Sequence, residues 1–511
     1  PLWICATSWA VLASAFPDSD SPYVGDVPIP IFGELCAESL VITGADFSSY
    51  YRKFSAPYVP PECSWTQALL RLRGSVRGVQ FDRFGAVWLS GVELLRMTTP
   101  EPTIAGIAWQ VLRDVTRSSA LLERNGTMTL QIPNVVNPTY TGILHVNVSL
   151  EFYRGGGEGR GPPRLVRPLK DLASPTIFDY AVNTNEMQVS VLSNLPRNMV
   201  RASLEVFASG HGCEEFWYMD LPDTMAGDGC YGGAYREIEV FIDGLIAGSA
   251  YPFPVIYTGG LNPLLWRPLT GIASFNVSPY LFDISPFLGV LNDGQTHNFS
   301  LRVRHKNTGT WYLDGVLHAE LNPALDVCEG AILSHADSGP RVVVSQVNVG
   351  NVTLFMTEGG RSIRVAGHIK AGKGVARTYA VVSQSMNGSN TNVFRGSLQV
   401  TDGQMHSHSI SSRWIEQNDE VQPIEAISST AFYPYHVGDE LRLDNTSIQM
   451  HAEVNYSRIV SVTVARPVEK PYTILVSSNA DAMALYNRSL GNRSQINKLS
   501  GSSEEVSEVH A

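Results

Sequence analysis

The chain has 511 residues and a formal net charge of −11 with no basic cluster, which argues against nucleic acid and anionic membranes as partners. Single cores rarely grow past roughly 250 residues, so two to four domains are expected. Only 17% of residues are charged, while Gly 44, Pro 30 and Tyr 20 stand beside many Val, Thr and Ser, a composition that points to an all-β protein.

At the amino end, Leu2-Trp3-Ile4-Cys5-Ala6 through Trp9-Ala10-Val11-Leu12 is a short apolar run closed by the small residues Ala13-Ser14-Ala15. That is the pattern of a secretory leader, assigned to residues 1–15; a buried amino-terminal strand is the other reading. No other apolar run approaches the ~20 residues a bilayer span requires. Ten N-x-S/T sequons follow, at Asn125, Asn147, Asn276, Asn298, Asn351, Asn387, Asn445, Asn455, Asn487 and Asn492. Together they favour a eukaryotic glycoprotein that is secreted or sent to a vacuole, although Pro279 behind the Asn276 sequon counts against that site. In an oxidising compartment the cysteines are disulfide candidates rather than metal ligands. We pair Cys36 with Cys63, tying down the first strands, and Cys213 with Cys230, closing a loop, which leaves Cys328 buried and unpaired. No spacing matches a zinc site, and neither metal nor cofactor is expected.

The middle of the chain holds a duplication. Phe81-Asp82-Arg83 leads through Val87-Trp88-Leu89 to the turn Ser90-Gly91, and Tyr235-Arg236 leads through Val240-Phe241-Ile242 to Asp243-Gly244 at the same spacing. Strand-like residues flank both turns, a hairpin signal. Downstream, Asp114-Val115-Thr116 and Asp283-Ile284-Ser285 open matching segments that end in Asn125-Gly126 and Asp293-Gly294 before a strand. A period of about 150 residues implies two copies of one β domain. We assign them to residues 16–155 and 156–325, joined by the Gly/Arg-rich stretch from Arg154 to Arg164, which reads as flexible and open to nicking. The second copy alone inserts the Pro-rich run Tyr251-Pro252-Phe253-Pro254 through Trp266-Arg267-Pro268, and a rigid aromatic loop on a β scaffold suits a sugar or peptide surface. From residue 326 to 498 short strands such as Arg341–Val347, Arg377–Val382 and Ile459–Val464 suggest a third β-rich domain, and residues 499–511 a disordered tail.

No G-x-S-x-G, H-E-x-x-H, phosphate-binding or dinucleotide fingerprint is present. What remains is acids beside aromatics. Asp82 sits in an alternating run with Gln80 and Phe84 on its own face; burial would raise its pKa and let it exchange a proton with water. Equally, it would serve by accepting backbone hydrogen bonds or pairing with an arginine. His211, Glu214 and Glu215 lie with Phe216, Trp217 and Tyr218 at the mouth of the Cys213–Cys230 loop, either a polar-aromatic binding loop or an ordinary capped turn. Trp266 and Arg267 combine a stacking surface with a planar donor, or are a core tryptophan and a surface arginine.

These same residues resemble the plant and fungal peptide:N-glycosidase A family from about residue 30 to 320. The likeness runs through Gln80-Phe81-Asp82-Arg83, Thr139-Tyr140-Thr141-Gly142, Gly210-His211-Gly212, Glu215-Phe216-Trp217-Tyr218 and the Pro-rich loop. The resemblance implies a secreted member, of the fungal type. It would hydrolyse the amide between asparagine and the first N-acetylglucosamine of glycopeptides, at acidic pH and without a metal, leaving aspartate and a glycosylamine. A distant relative, peptide:N-glycosidase F, implies two tandem eight-stranded jelly rolls with the site between them. Its Trp-Asp-Arg motif is similar to Phe81-Asp82-Arg83, and its Cys-Ala-Glu-Trp-Cys motif to Cys213–Trp217, which makes Asp82 catalytic and Glu215, with Glu214 behind it, the assisting acid. Arg83, Arg267 and His211 would bind substrate, and Trp217 and Trp266 would stack on its sugars. A further assisting glutamate of the relative has no matching motif here. A non-catalytic jelly-roll lectin and a glycosidase cleaving between sugars are the rival functions.

Overall fold

The computed structural model describes residues 7–12, 23–24, 28–102, 104–155, 164–223, 230–265, 271–304, 309–370, 376–395, 397–443, 448–467, 469–487 and 492–506. Strand β1 (Thr7–Leu12) lies inside the segment read as a leader, and β2 (Tyr23–Val24) is a short edge. Eight longer strands follow: β3 (Glu34–Phe47), β4 (Lys53–Tyr58), β5 (Gln67–Arg77), β6 (Phe84–Leu89), β7 (Val92–Thr98), β8 (Ile107–Asp114), β9 (Gly126–Gln131) and β10 (Ile143–Arg154). They form two sheets in the orders β2-β8-β5-β10-β3 and β4-β9-β6-β7. Counted from β3, the first, eighth, third and sixth strands share one sheet and the second, seventh, fourth and fifth the other. This two-Greek-key wiring defines a jelly roll. Leu70, Trp109, Val148 and Phe152 of one sheet meet Val87, Met128 and Leu130 of the other in one buried cluster.

The second copy repeats the wiring with β11 (Arg164–Pro168), β12 (Ala181–Asn183), β13 (Gln188–Leu192), β14 (Met199–His211), β15 (Glu237–Ile242), β16 (Leu245–Ala250), β17 (Tyr280–Asp283), β18 (His297–Arg304) and β19 (Thr310–Leu321). The sheets are β11-β19-β14-β17, with β12 also on β19, and β13-β18-β15-β16. The sequence duplication is a structural one. The β6–β7 and β15–β16 hairpins turn on Ser90 (φ 48°) and Gly91 (φ 83°), and on Asp243 (φ 48°) and Gly244 (φ 82°), the left-handed pair that a two-residue hairpin requires. Asp114 Oδ1 accepts from the Thr116 N–H at 2.8 Å and Asp283 Oδ1 from the Ser285 N–H at 2.9 Å, each just before a short helix, α1 (Ser119–Leu122) and α2 (Leu288–Leu291).

The remaining strands make one up-and-down sheet: β20 (Gly330–Asp337), β21 (Arg341–Val349), β22 (Val352–Ile369), β23 (Arg377–Arg395), β24 (Leu398–Gln417), β25 (Glu420–Leu443), β26 (Ile448–Ala465), β27 (Tyr472–Asn487) and β28 (Asn492–Val506), with β1 beyond β28 at the far edge. Where short strands are expected, ribbons of up to 24 residues form, because apolar residues keep alternating inward through polar stretches that read as turns. Strand β28 likewise carries pairing through Val506, into the segment expected to be a disordered tail. The sheet does not stand apart: Ile363, Met405, Tyr433, Val454 and Tyr456 belong to the same apolar cluster as the second jelly roll.

Cys36–Cys63 and Cys213–Cys230 are bonded and Cys328 is free and buried, as expected. Such bonds persist in the oxidising secretory route. Among the described residues no helix is long and apolar enough to cross a membrane. Asn125, Asn147, Asn298, Asn351, Asn387 and Asn455 are exposed. Asn276 instead is half-buried and accepts from Arg113 Nη1 at 3.1 Å, and Asn445 lies outside the described residues, as do the side chains of Asn487 and Asn492.

Candidate active site

Antiparallel wiring sends alternate connections of a jelly roll to the same end. In the first copy these are the connections after β3, β5, β7 and β9, and hydrogen bonds hold them side by side. Asn134 Nδ2 donates to the Phe47 carbonyl at 2.9 Å, Gln80 Nε2 to the Val135 carbonyl at 2.9 Å, and the Thr99 N–H to the Arg83 carbonyl at 2.8 Å. Asp82 and Arg83 ride on the connection before β6, and Glu101 on the one after β7. The equivalent connections of the second copy carry Glu214 and Glu215 (after β14) and the Pro-rich loop (after β16). The two copies meet along β7: the Val277 N–H donates to the Arg96 carbonyl at 2.9 Å and the Thr98 N–H to the Ser274 carbonyl at 3.0 Å. Beneath the seam, buried Arg96 pairs with Glu93 at 2.8 Å and donates to Ser209 Oγ at 3.2 Å and to the Tyr312 carbonyl.

Three acids converge there. Asp82 is half-buried, and its carboxyl is held well above the usual range, chiefly by burial, then by the charges of Glu215 and Glu101, with Arg83 opposing. Burial pushes Glu215 up to about 7. Glu101 is 5% exposed, and its Oε1 occupies the space a Cβ on Gly259 would take. Gly259 also sits at φ 75°, so both backbone and space demand glycine at that point of the Pro-rich loop. Next to it Tyr257 is buried within electrostatic reach of both Glu215 and Asp82, and its phenol is held protonated by burial and by their charges. Arg83 is fixed by neutral oxygens, Nη2 to Gln80 Oε1 at 2.6 Å and Nε to Asn134 Oδ1 at 3.2 Å, which leaves its charge facing Asp82.

The family model for peptide N-acetyl-beta-D-glucosaminyl asparaginase amidase A matches residues 26–336, more than half of the chain. The chain belongs to this amidase A family. It is 36% identical over 372 residues to peptide-N4-(N-acetyl-beta-glucosaminyl)asparagine amidase A of Prunus dulcis, an alignment covering 67% of this chain and 64% of that relative. The chain thus spans a little under two thirds of the length of the curated relative it matches. Among solved structures it is similar to PNGase F, a glycosylasparaginase from Flavobacterium meningosepticum, with 14% identity, TM-score 0.40, and coverage of 56% of this chain and 96% of that one. It is also similar to PNGF-II, with 12% identity, TM-score 0.40, and coverage of 56% and 66%.

Of the expected site residues that are described, Asp82, Arg83 and Glu215 come together, whereas Glu214, Trp217 and His211 are taken up in packing. Asp82 is not on an alternating strand: β6 starts only at Phe84, and the loop before it turns Asp82 toward the seam. Glu214 is taken up structurally. It is 2% exposed and accepts from Arg236 Nε at 2.5 Å, Arg236 Nη2 at 3.1 Å and Trp311 Nε1 at 2.7 Å. With the Cys213–Cys230 bond, this anchors the 3-10 turn Gly212–Met219 and so fixes Glu215. Trp217, expected to stack on sugar, is instead a core residue at 2% exposure with the Arg236 guanidinium 5.9 Å above its ring. His211 packs against Phe84 at 4.1 Å and Tyr312 at 4.9 Å, and burial beside Arg96 pushes it down to about 3, so it stays neutral.

Trp266, Arg267 and linker residues 156–163 lie outside the described residues. The described part of the Pro-rich loop does not display its aromatics. Tyr251, Phe253 and Tyr257 are buried, and Phe253 packs at 5.1 Å from Tyr433 and 5.9 Å from Tyr456 of the long sheet. A cavity of about 720 Å³ lies behind this loop, lined by Glu215 and Tyr257 at one end and Arg201, Glu425 and Arg466 at the other. Asp82 does not line it. Glu101 escaped sequence reasoning because Pro100-Glu101-Pro102 matches no motif. Its signal was positional, since the connection it occupies is the first-copy equivalent of the Pro-rich loop.

Proposed function

We propose that the chain hydrolyses the amide between asparagine and the proximal N-acetylglucosamine of N-linked glycopeptides, with Asp82 and Glu215 as the reacting pair, in the secreted or vacuolar compartment. The observation that carries this is the meeting of these two carboxyls across the seam between the copies. Two acids raised by burial and within electrostatic reach of one another do not both ionise readily. Arg83 opposes the rise at Asp82, whereas among the described residues burial alone acts on Glu215, so we place the charge on Asp82 and the proton on Glu215. While Glu215 is neutral its repulsion of Asp82 is absent. The Asp82 carboxylate then takes a proton from a water that attacks the side-chain carbonyl carbon. Glu215 and the Tyr257 phenol supply donors: one polarises the carbonyl oxygen, and Glu215 passes its proton to the nitrogen as the carbon–nitrogen bond breaks. The products are aspartate and the glycosylamine.

Mass spectrometry of a digested glycopeptide tests the reading. Conversion of the glycosylated asparagine to aspartate supports it, retention of the proximal sugar on asparagine means a glycosidase, and an unchanged glycopeptide means a lectin. Asp82→Asn should leave the fold intact and abolish aspartate formation, by roughly a thousandfold or more; full activity in that variant would overturn the assignment.

A further inference from the structure

An exposed aromatic wall bridges both jelly rolls. Tyr50 and Tyr51, on the turn after β3, are 41% and 79% exposed. Tyr50 stacks on Phe178 of the second copy at 5.2 Å and 25°, with Tyr51 edge-on to Tyr50 at 5.4 Å. Phe178 itself rests on the small buried cluster of Trp88, Ile177 and Tyr180 at the seam, so the wall has a rigid floor. The wall is continuous with the site, because Tyr50 lies within electrostatic reach of Arg83 and of Tyr312, whose ring is 4.9 Å from Phe84. Folding gives no reason for such exposure: Tyr51 buries too little surface to stabilise its turn, and grouped exposed aromatics mark binding surfaces.

We propose that Tyr50, Tyr51 and Phe178 form a stacking platform for neutral sugar residues of the glycan, beyond the one joined to asparagine. This rests on the amidase reading and extends it. Ring faces match the C–H faces of pyranoses and the phenols meet their hydroxyls, whereas a peptide of arbitrary sequence offers no repeating flat surface to stack.

The test compares two glycopeptides with the same peptide, one bearing a branched mannose-terminated glycan and one bearing a single N-acetylglucosamine. Tyr51→Ala should lower kcat/KM on the long-glycan substrate about five- to tenfold more than on the short one, mostly through KM. Equal losses on both substrates, or none, would overturn the platform. Independently of turnover, the free mannose-terminated oligosaccharide is titrated into Glu215→Gln and into Glu215→Gln with Tyr51→Ala. Weaker binding in the double variant supports the platform even if no aspartate is ever formed, and identical binding refutes it while leaving the amidase reading intact.

Discussion

Glu215→Gln separates catalytic acid from structural residue through stability rather than rate. The Glu215 carboxyl has a folded pKa of about 7 against an ordinary value of 4.5. The native chain therefore binds a proton more tightly than the unfolded one, and stability is lost as pH rises from about 4.5 through 7. The shift of about 2.5 units corresponds to about 3 kcal/mol, or about 2 to 3 kcal/mol after allowing for its partial contact with solvent. Glutamine mimics the protonated acid at every pH. The variant should melt with the parent at pH 4 and above it at pH 8. At about 2.1 cal/mol/K per residue, ~2.5 kcal/mol is about 2 °C if the whole chain melts as one unit and about 7 °C if the second jelly roll melts alone. Scanning calorimetry at the two pH values, disulfides intact, reads the difference. A variant that melts at or below the parent at pH 8 would show that Glu215 is not held in a dry site, and the proton assignment would fall with it.

The same group sets the upper limit of the working range. With the proton required on Glu215, kcat/KM should fall as pH rises through about 7, and Glu215→Asp should displace that limb, measured on one glycopeptide across pH 4 to 9. Arg236→Met should act on the fold instead: it strands the buried Glu214 and Asp220 carboxylates, costs about 3 to 5 kcal/mol, and lowers the melting temperature far more than it lowers turnover of the surviving folded protein. Gly259→Ala places a methyl against Glu101 in a left-handed backbone, so it should cost about 1 to 2 kcal/mol and reduce kcat about tenfold, checked by denaturation and steady-state kinetics. Glu101→Gln should lower turnover of one glycopeptide at pH 5, and full activity would remove it from the acid cluster.

The sequence by itself determined the β class, the disulfides and the duplication, because each is written locally. The paired Ser90-Gly91 and Asp243-Gly244 turns need left-handed angles that few residues tolerate, and Asp114 and Asp283 cap matching turns within two residues of themselves. It also put Asp82, Arg83 and Glu215 on connections that emerge at one end of their copies, since equivalent positions in two copies of one fold emerge at equivalent ends. Tertiary structure alone decided which adjacent acid faces the seam. Glu214 and Glu215 are indistinguishable in the chain, and only the arrival of Arg236 and Trp311 from other strands pairs one, while the other is governed by burial alone among the described residues. It likewise buried Trp217, Tyr251 and Phe253 in one cluster with a long sheet built mostly from residues after the second copy, and it brought Glu101 within electrostatic reach of Asp82. Burial is a sum over residues distant in sequence, and no local pattern carries that sum.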